Sequence, residues 1–243
     1  MTRWIVYAAA GLIAFLAFAA ASLPARVVFD IAARPAGAQA GLVTGPVWNA
    51  SLRRVEAAGF EAAAMQARLN ALPLLSGRAV IDWTLADPAM RGAGRAVMPM
   101  GGGVILEAAA GVLSLDAVDA LAAADLSPGQ SARIEIDRLA LGPDGACREA
   151  RGKVTSTALA AAGERYGAAL PALNAQLMCA GDAVALDFRG DTETLALSGR
   201  LRLMASEPQW RIVAEPGDRD VIAALTLMGF DQEGDRFVAE SAP

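Results

Sequence analysis

Short runs in which apolar and polar residues alternate recur along most of the chain, and Gly, Pro or Asp closes each run. This period of two is what a sheet with one buried face and one wet face requires. Short strands with closely spaced turns predict a mainly β fold, built as an antiparallel meander that forms a curved sheet or roll. The clearest runs span residues 80–85, 94–98, 104–108, 133–141, 183–188, 195–203 and 209–214.

A few segments break this pattern with apolar residues at helical spacing. They predict short helices over residues 117–126, 158–166 and 218–228 that pack against the sheet. Asp116 is a plausible N-cap for the first helix, and Gly229 ends the last one. A further short strand is predicted over Val27–Ile31.

Residues 4–23 carry no charge and are rich in Ala, Leu and Phe. A helix of roughly 20 residues is long enough to cross the hydrocarbon layer of a bilayer. Arg3 precedes it, so the positive-inside rule places the N-terminus in the cytoplasm and residues 25–243 outside the inner membrane. We therefore expect a transmembrane anchor over residues 1–24, followed by one β-rich periplasmic domain. A cleavable signal peptide, with Ala19–Ala21 as its small-residue pattern, is the alternative.

Composition excludes several classes of function. The chain has 243 residues, a formal net charge of −5 and no histidine. Without histidine there is no imidazole base and no His-containing zinc site. This excludes most hydrolase and metalloenzyme functions. The acidic balance argues against nucleic acid and leaves protein or lipid as partners. Lys153 and Ser156 offer a formal Ser-Lys pair, but we expect Lys153 to be a solvated side chain.

No motif predicts a cofactor or a metal. Gly92–Gly94 begins like a dinucleotide-binding loop, but Val97 stands where its last glycine belongs. Gly101–Gly103 reads as a hairpin connection, and the aspartates at 116, 119 and 125 do not follow calcium-loop spacing. Three tryptophans, Trp48, Trp83 and Trp210, are expected to stabilise the strands, with a groove for an apolar ligand as the alternative.

Cys147 and Cys179 are the only cysteines. In an exported domain, exactly two cysteines predict a disulfide. Two separate buried thiols are the alternative.

The stretch from Gly41 to Leu85 has the sequence pattern of β-hairpins, in which turn residues separate short strands. A Gly45-Pro46 turn is predicted to start a strand that carries Val47 and Trp48, and the apolar bend Leu72-Pro73-Leu74-Leu75-Ser76-Gly77 returns the chain into another strand. This order of features resembles the type II secretion system protein N family, although Pro46 replaces the usual Thr and Ala50 a usual Gly. The residues that carry the resemblance are Gly45, Val47, Trp48, Leu72, Leu74, Leu75, Gly77 and Gly229.

The resemblance implies a non-enzymatic accessory component of type II secretion. It would be anchored in the inner membrane by residues 4–23 and would contact the inner-membrane platform or the secretin through its periplasmic domain. Strand addition at an exposed sheet edge is a natural way for such a domain to bind these components. The alternative function is lipid binding or transfer, since the predicted architecture is similar to that of AsmA-like envelope proteins.

Overall fold

The computed structural model describes residues 7, 11–12, 15, 18–19, 21–33, 39–57, 60–115, 130–166, 169–203, 209–227 and 229–241. The chain forms two compact units, residues 1–87 and residues 88–243. Antiparallel strands dominate the described part of both units. The predicted mainly β class, with a few short helices, is therefore confirmed.

Unit 1 is an antiparallel sheet in the strand order β1-β2-β3-β4. A one-turn helix and a π-helical turn precede the sheet, and a second one-turn helix connects β3 to β4. The elements are α1 (Ala25–Val28), the π-helical turn (Phe29–Ala33), β1 (Gln39–Thr44), β2 (Ala50–Ala57), β3 (Phe60–Asn70), α2 (Ala71–Leu74) and β4 (Arg78–Ala86).

The predicted strand over Val27–Ile31 is wrong, because these residues are helical. The β-branched residues in the segment favour a strand locally. The helical path brings Ala25 and Phe29, four residues apart, into one apolar cluster with Leu52 of β2. Val27 and Ile31 stay 47% and 72% exposed. Packing against the sheet thus overrides the local preference.

Unit 2 is also an antiparallel sheet, in the order β5-β6-β7-β8-β9-β10-β11-β12-β14-β13. Within its described residues β5 and β13 do not pair with each other, so the sheet is open. Its elements are β5 (Met90–Pro99), β6 (Val104–Ser114), β7 (Ser131–Leu141), β8 (Cys147–Ser156), α3 (Ala158–Tyr166), β9 (Leu173–Ala180), β10 (Ala183–Asp191), β11 (Leu195–Leu203), β12 (Gln209–Pro216), α4 (Arg219–Leu227), β13 (Asp231–Glu233) and β14 (Arg236–Glu240).

Each alternating run named above lies within a strand of the structure. The helix predicted over residues 158–166 is confirmed with the same bounds, and the one predicted over 218–228 spans Arg219–Leu227. The helix predicted over residues 117–126 lies outside the described residues.

Most of the predicted anchor, residues 4–23, also falls outside the described part of the chain. Among the residues that are described, no helix has the length and apolar character needed to cross a bilayer.

The sheet of unit 2 has an apolar face and a polar face. On the apolar face, Leu195, Ala214 and Phe237 form a buried cluster with Leu225 of α4. Further along the sheet, Leu139, Cys147 and Val184 form a second cluster. These two clusters form a layer of side chains on one face of the sheet, and the charged side chains of β10, β11 and β12 lie on the opposite face.

Candidate functional site

The Gly45–Trp48 block forms the turn between β1 and β2. Gly45 has a φ of +87°, and a Cβ built on it would lie 2.6 Å from the backbone oxygen of Asn49, so the turn needs glycine. Val47 is buried, and Trp48 is half-buried in the turn itself. The expectation that Trp48 sits in a strand is wrong, because β2 begins only at Ala50.

This turn binds the segment that follows the predicted anchor. The Ala25 N–H donates to the Gly45 carbonyl at 3.0 Å, and the Val47 N–H donates to the Leu23 carbonyl at 2.9 Å. Pro24 and Pro46 form the antiparallel bridge between these bonds. Ala25 then enters the apolar cluster of β2 and β3. Backbone pairing and packing together fix residues 23–25 to the sheet of unit 1.

The Leu72–Gly77 bend connects β3 to β4. Gly77 has a φ of +71° and donates its N–H to the Leu74 carbonyl at 3.0 Å, which closes the bend. Its leucines project outward: Leu72 is 81% exposed and Leu75 is 88% exposed. The bend therefore presents apolar side chains without burying them.

Gly229 has a different role from these turn residues. It follows α4 with a φ of +83°, and its N–H donates to the Thr226 carbonyl at 3.1 Å. The Phe230 N–H reaches back to the Leu225 carbonyl at 3.1 Å. This pair of bonds is a Schellman cap, and it directs Phe230 against the cluster of Leu225 and Phe237. Gly229 is thus a structural residue.

Cys147 and Cys179 form a disulfide in the structure, with their Cα atoms 5.6 Å apart. Cys147 begins β8, Cys179 lies near the end of β9, and both pack in the cluster around Val184. The bond closes a sequence separation of 32 residues inside unit 2. Its position indicates a structural crosslink within the core.

Four arginines line a cavity of about 650 Å³ on the polar face of unit 2. We call it the arginine cavity; the arginines are Arg189, Arg200, Arg202 and Arg211, and the carboxylates in its lining are Asp187 and Glu240. The register of β10, β11, β12 and β14 aligns Asp187, Arg200, Arg211 and Glu240 in one row across the strands. The amino-acid sequence alone does not reveal this cavity, because the row depends on strand pairing. The only local signal is the alternating Arg200-Leu201-Arg202.

Most of the arginines around the cavity are paired: Arg211 lies 3.2 Å from Glu240 and 3.5 Å from Glu233, and Arg202 lies 4.0 Å from Asp182. The Arg200 guanidinium makes a bidentate pair with Asp187, at 2.5 and 2.7 Å, and these bonds lower the pKa of the carboxyl below its usual value. Arg202 donates to the Gln209 side chain at 3.2 Å, while its buried Nε has no partner among the described residues. The cavity is therefore lined largely by paired charges.

The described residues hold no cluster of His, Cys, Asp or Glu that could ligate a metal. Lys153 lies 2.9 Å from Glu135 and is 62% exposed, and this bond raises the pKa of the lysine. Gly92–Gly94 lies inside strand β5. Lys153 is therefore an ion-paired, solvent-exposed side chain, and Gly92–Gly94 belongs to the sheet.

The described fold is thus that of an antiparallel β-sheet protein with a few short helices. The chain belongs to the family described as type II secretion system (T2SS), protein N, whose profile matches residues 36–239. Members of this family are accessory components of type II secretion. A search of curated proteins finds no match. Solved structures likewise yield none.

Proposed function

We propose that this chain is a non-enzymatic component of the type II secretion system, anchored in the inner membrane, whose β-rich part contacts other secretion components in the periplasm. The family match over residues 36–239 supports the secretion role. The uncharged run over residues 4–23 supports the anchor. The site of contact is argued from the edge strand of unit 1.

Strand β1 carries the features of an edge that is open to strand addition. Within the described residues of unit 1 it pairs only with β2, and none of its six residues is charged. Leu42 in its middle is 49% exposed. Charged residues normally blunt such edges. An extended segment of a partner could therefore pair with β1 and cover Leu42.

Strand β13 is the matched contrast in unit 2. It is an edge strand of three residues, all exposed, and two of them are Asp231 and Glu233. Two carboxylates on so short a strand disfavour pairing with another chain. This contrast supports β1 as the proposed partner contact.

Capture of secretion components from solubilised host membranes tests this assignment. Leu42→Lys should remove the inner-membrane platform or secretin proteins from the captured material, because a buried unpaired charge is costly at a strand-addition interface. Gln232→Lys on β13 is the control and should leave capture unchanged. If Leu42→Lys captures the same secretion proteins as the unmodified chain, β1 is not the contact.

One observation favours lipid binding as a second candidate function. Several apolar residues on the apolar face of unit 2 are only half-buried in the described structure, as a lipid-carrying surface requires. They are Leu177, Leu186, Phe188, Leu197, Leu201 and Ile212.

Deletion of the gene in its host separates the two functions. Loss of particular extracellular proteins, with normal outer-membrane lipid asymmetry, supports the secretion role. Unchanged secretion with altered envelope lipids supports lipid transfer instead. Native mass spectrometry of the purified chain adds a direct check, since a carrier should retain lipid.

A further inference from the structure

Two leucines in the β3–β4 bend pack in none of the apolar clusters that the described residues form. Leu75 and Leu72 are the most exposed leucines of the described chain, at 88% and 81%. Burial of a leucine side chain stabilises a folded protein, so the folded unit forgoes that stabilisation at both positions. Pro73 and Gly77 fix the bend that holds them outward. An apolar environment outside the chain would explain their exposure.

The bend lies at the end of unit 1 where the predicted anchor meets the sheet. The Leu69 N–H donates to the Val47 carbonyl at 3.4 Å, and the Val47 N–H donates to the Leu23 carbonyl at 2.9 Å. Two backbone hydrogen bonds therefore link Leu23, the last residue of the predicted anchor, through Val47 to Leu69 near the end of β3. Trp48 lies in the turn between them, and tryptophan is enriched at membrane–water interfaces.

Charge at this end of the sheet suits a bilayer surface. Between Leu69 and Ile81 the only ionisable residue is Arg78, which is exposed. The next carboxylate, Asp82, lies within β4 and accepts a hydrogen bond from the Asn70 side chain at 2.8 Å. A positive charge beside exposed leucines is attracted to anionic headgroups, while the leucines can contact the acyl-chain boundary.

We infer that the Leu72–Leu75 bend inserts into the membrane interface beside the anchor. The leucine side chains contact the acyl-chain boundary, and Arg78 lies at the level of the lipid headgroups. The inference rests on the proposed anchor over residues 4–23, and it adds a second membrane contact that sets the orientation of unit 1. The occupant of the bend is lipid, and a protein partner there is the competing outcome.

A single introduced cysteine can report the position of the bend, because Cys147 and Cys179 are the only natural cysteines and are bonded to each other. Full-length Leu75→Cys is labelled with an environment-sensitive fluorophore and reconstituted into phosphatidylglycerol–phosphatidylethanolamine vesicles. Ala86→Cys is the control, since Ala86 is also exposed but lies at the opposite end of strand β4. Its nine residues place the two ends roughly 30 Å apart.

We expect lipids brominated near the headgroup end of the acyl chain to quench the label at position 75 several-fold more than the label at position 86. Adding Leu72→Asp to Leu75→Cys should lower quenching to the control level, because a charge opposes insertion. Resistance of the chain to carbonate extraction should not change in this variant, since the anchor is intact.

Equal quenching at positions 75 and 86 in vesicle-inserted chain would overturn the inference while leaving the anchor in place. The same result, together with a blue shift at position 75 only when secretion proteins are added, would identify a protein as the occupant. If carbonate releases the unmodified chain from vesicles, the anchor fails, and the inferred insertion fails with it.

Discussion

Two apolar segments that end in glycine have opposite fates in this chain. The bend Leu72–Gly77 holds its leucines in solvent, with Leu75 88% exposed, whereas Leu225 in the segment before Gly229 is 2% exposed. The difference lies in what precedes each glycine. Helix α4 has nine residues and lays Leu225 on the sheet beside Phe237, while α2 has only four residues and no buried residue. A hydrophobic motif therefore becomes part of the core only where it lies on a helix that is long enough to pack against the sheet.

Truncation of the buried leucine should destabilise the protein more than any other change considered below. Leu225→Ala should lower the free energy of unfolding by about 2–5 kcal/mol, because it removes buried methyl groups and leaves a cavity in the cluster. Urea unfolding of the full chain in detergent measures the change. Leu72→Ala is the control and should stay within about 0.5 kcal/mol of the unmodified chain, since its side chain is exposed. Equal losses for the two variants would contradict the contrast.

The disulfide supports the same unit. Replacing Cys147 and Cys179 by serine should lower the free energy of unfolding of unit 2 by roughly 3–4 kcal/mol, because the open chain gains loop entropy when unfolded. Single-tryptophan variants allow the unfolding of each unit to be measured separately. The fluorescence of Trp210 reports on unit 2, and that of Trp48 or Trp83 reports on unit 1. Both thiols should resist alkylation until the protein is reduced. Labelling of native, unreduced protein would show that the bond is absent.

The glycines themselves sharpen the comparison, since their backbone requirement is the same in both segments. Gly77 and Gly229 have φ values of +71° and +83°. Alanine at either position should cost about 1–2 kcal/mol, because an L-residue is strained in the left-handed region. Thermal unfolding measures both variants. A neutral Gly77→Ala would mean that the bend relaxes and does not hold its leucines in a fixed position.

The smallest effect concerns pH. The hydrogen bonds from Arg200 lower the pKa of Asp187 in the folded protein, so the stability they give is present above the ordinary pKa of Asp and is lost as pH falls through the lowered value. Asp187→Asn should therefore be less stable than the unmodified chain at pH 7, and the gap should narrow toward pH 3, about a unit below the ordinary Asp pKa. Urea unfolding at both pH values checks this. A gap that is independent of pH would show that the carboxylate charge plays no part.

Strands were predictable from sequence where alternation was strong. The bounds of β11, Leu195–Leu203, follow directly from its pattern. Strand β8 was not predicted, because its inward positions are held by small residues such as Ala150 and Gly152, which give a weak apolar signal. Gly152 is needed there, since a Cβ would meet the backbone of Ile136 at 3.0 Å. The alternating pattern detects only hydrophobic side chains. A strand whose inward positions are filled by small residues therefore does not show it.

The candidate surfaces were predictable only in part. The order of the Gly45 block and the Leu72 bend identified the family, but the exposure of Leu72 and Leu75 depends on which element covers them. The arginine cavity depends on the register that aligns Arg200 with Arg211 across strands. The local sequence shows which residue types are present. Only the pairing of distant strands brings them together into a site.

Backbone pairing of residues 23–25 with the Gly45 turn has a consequence for reach. A flexible linker of about ten residues would let a tethered domain wander by roughly 17 Å around its attachment point. Here Ala25 already belongs to the core of unit 1, so an anchor ending at Leu23 leaves no slack. Unit 1 would then have little freedom to move relative to the bilayer. A partner would have to approach unit 1 at the membrane surface, and a force applied to unit 1 would be transmitted directly to the membrane.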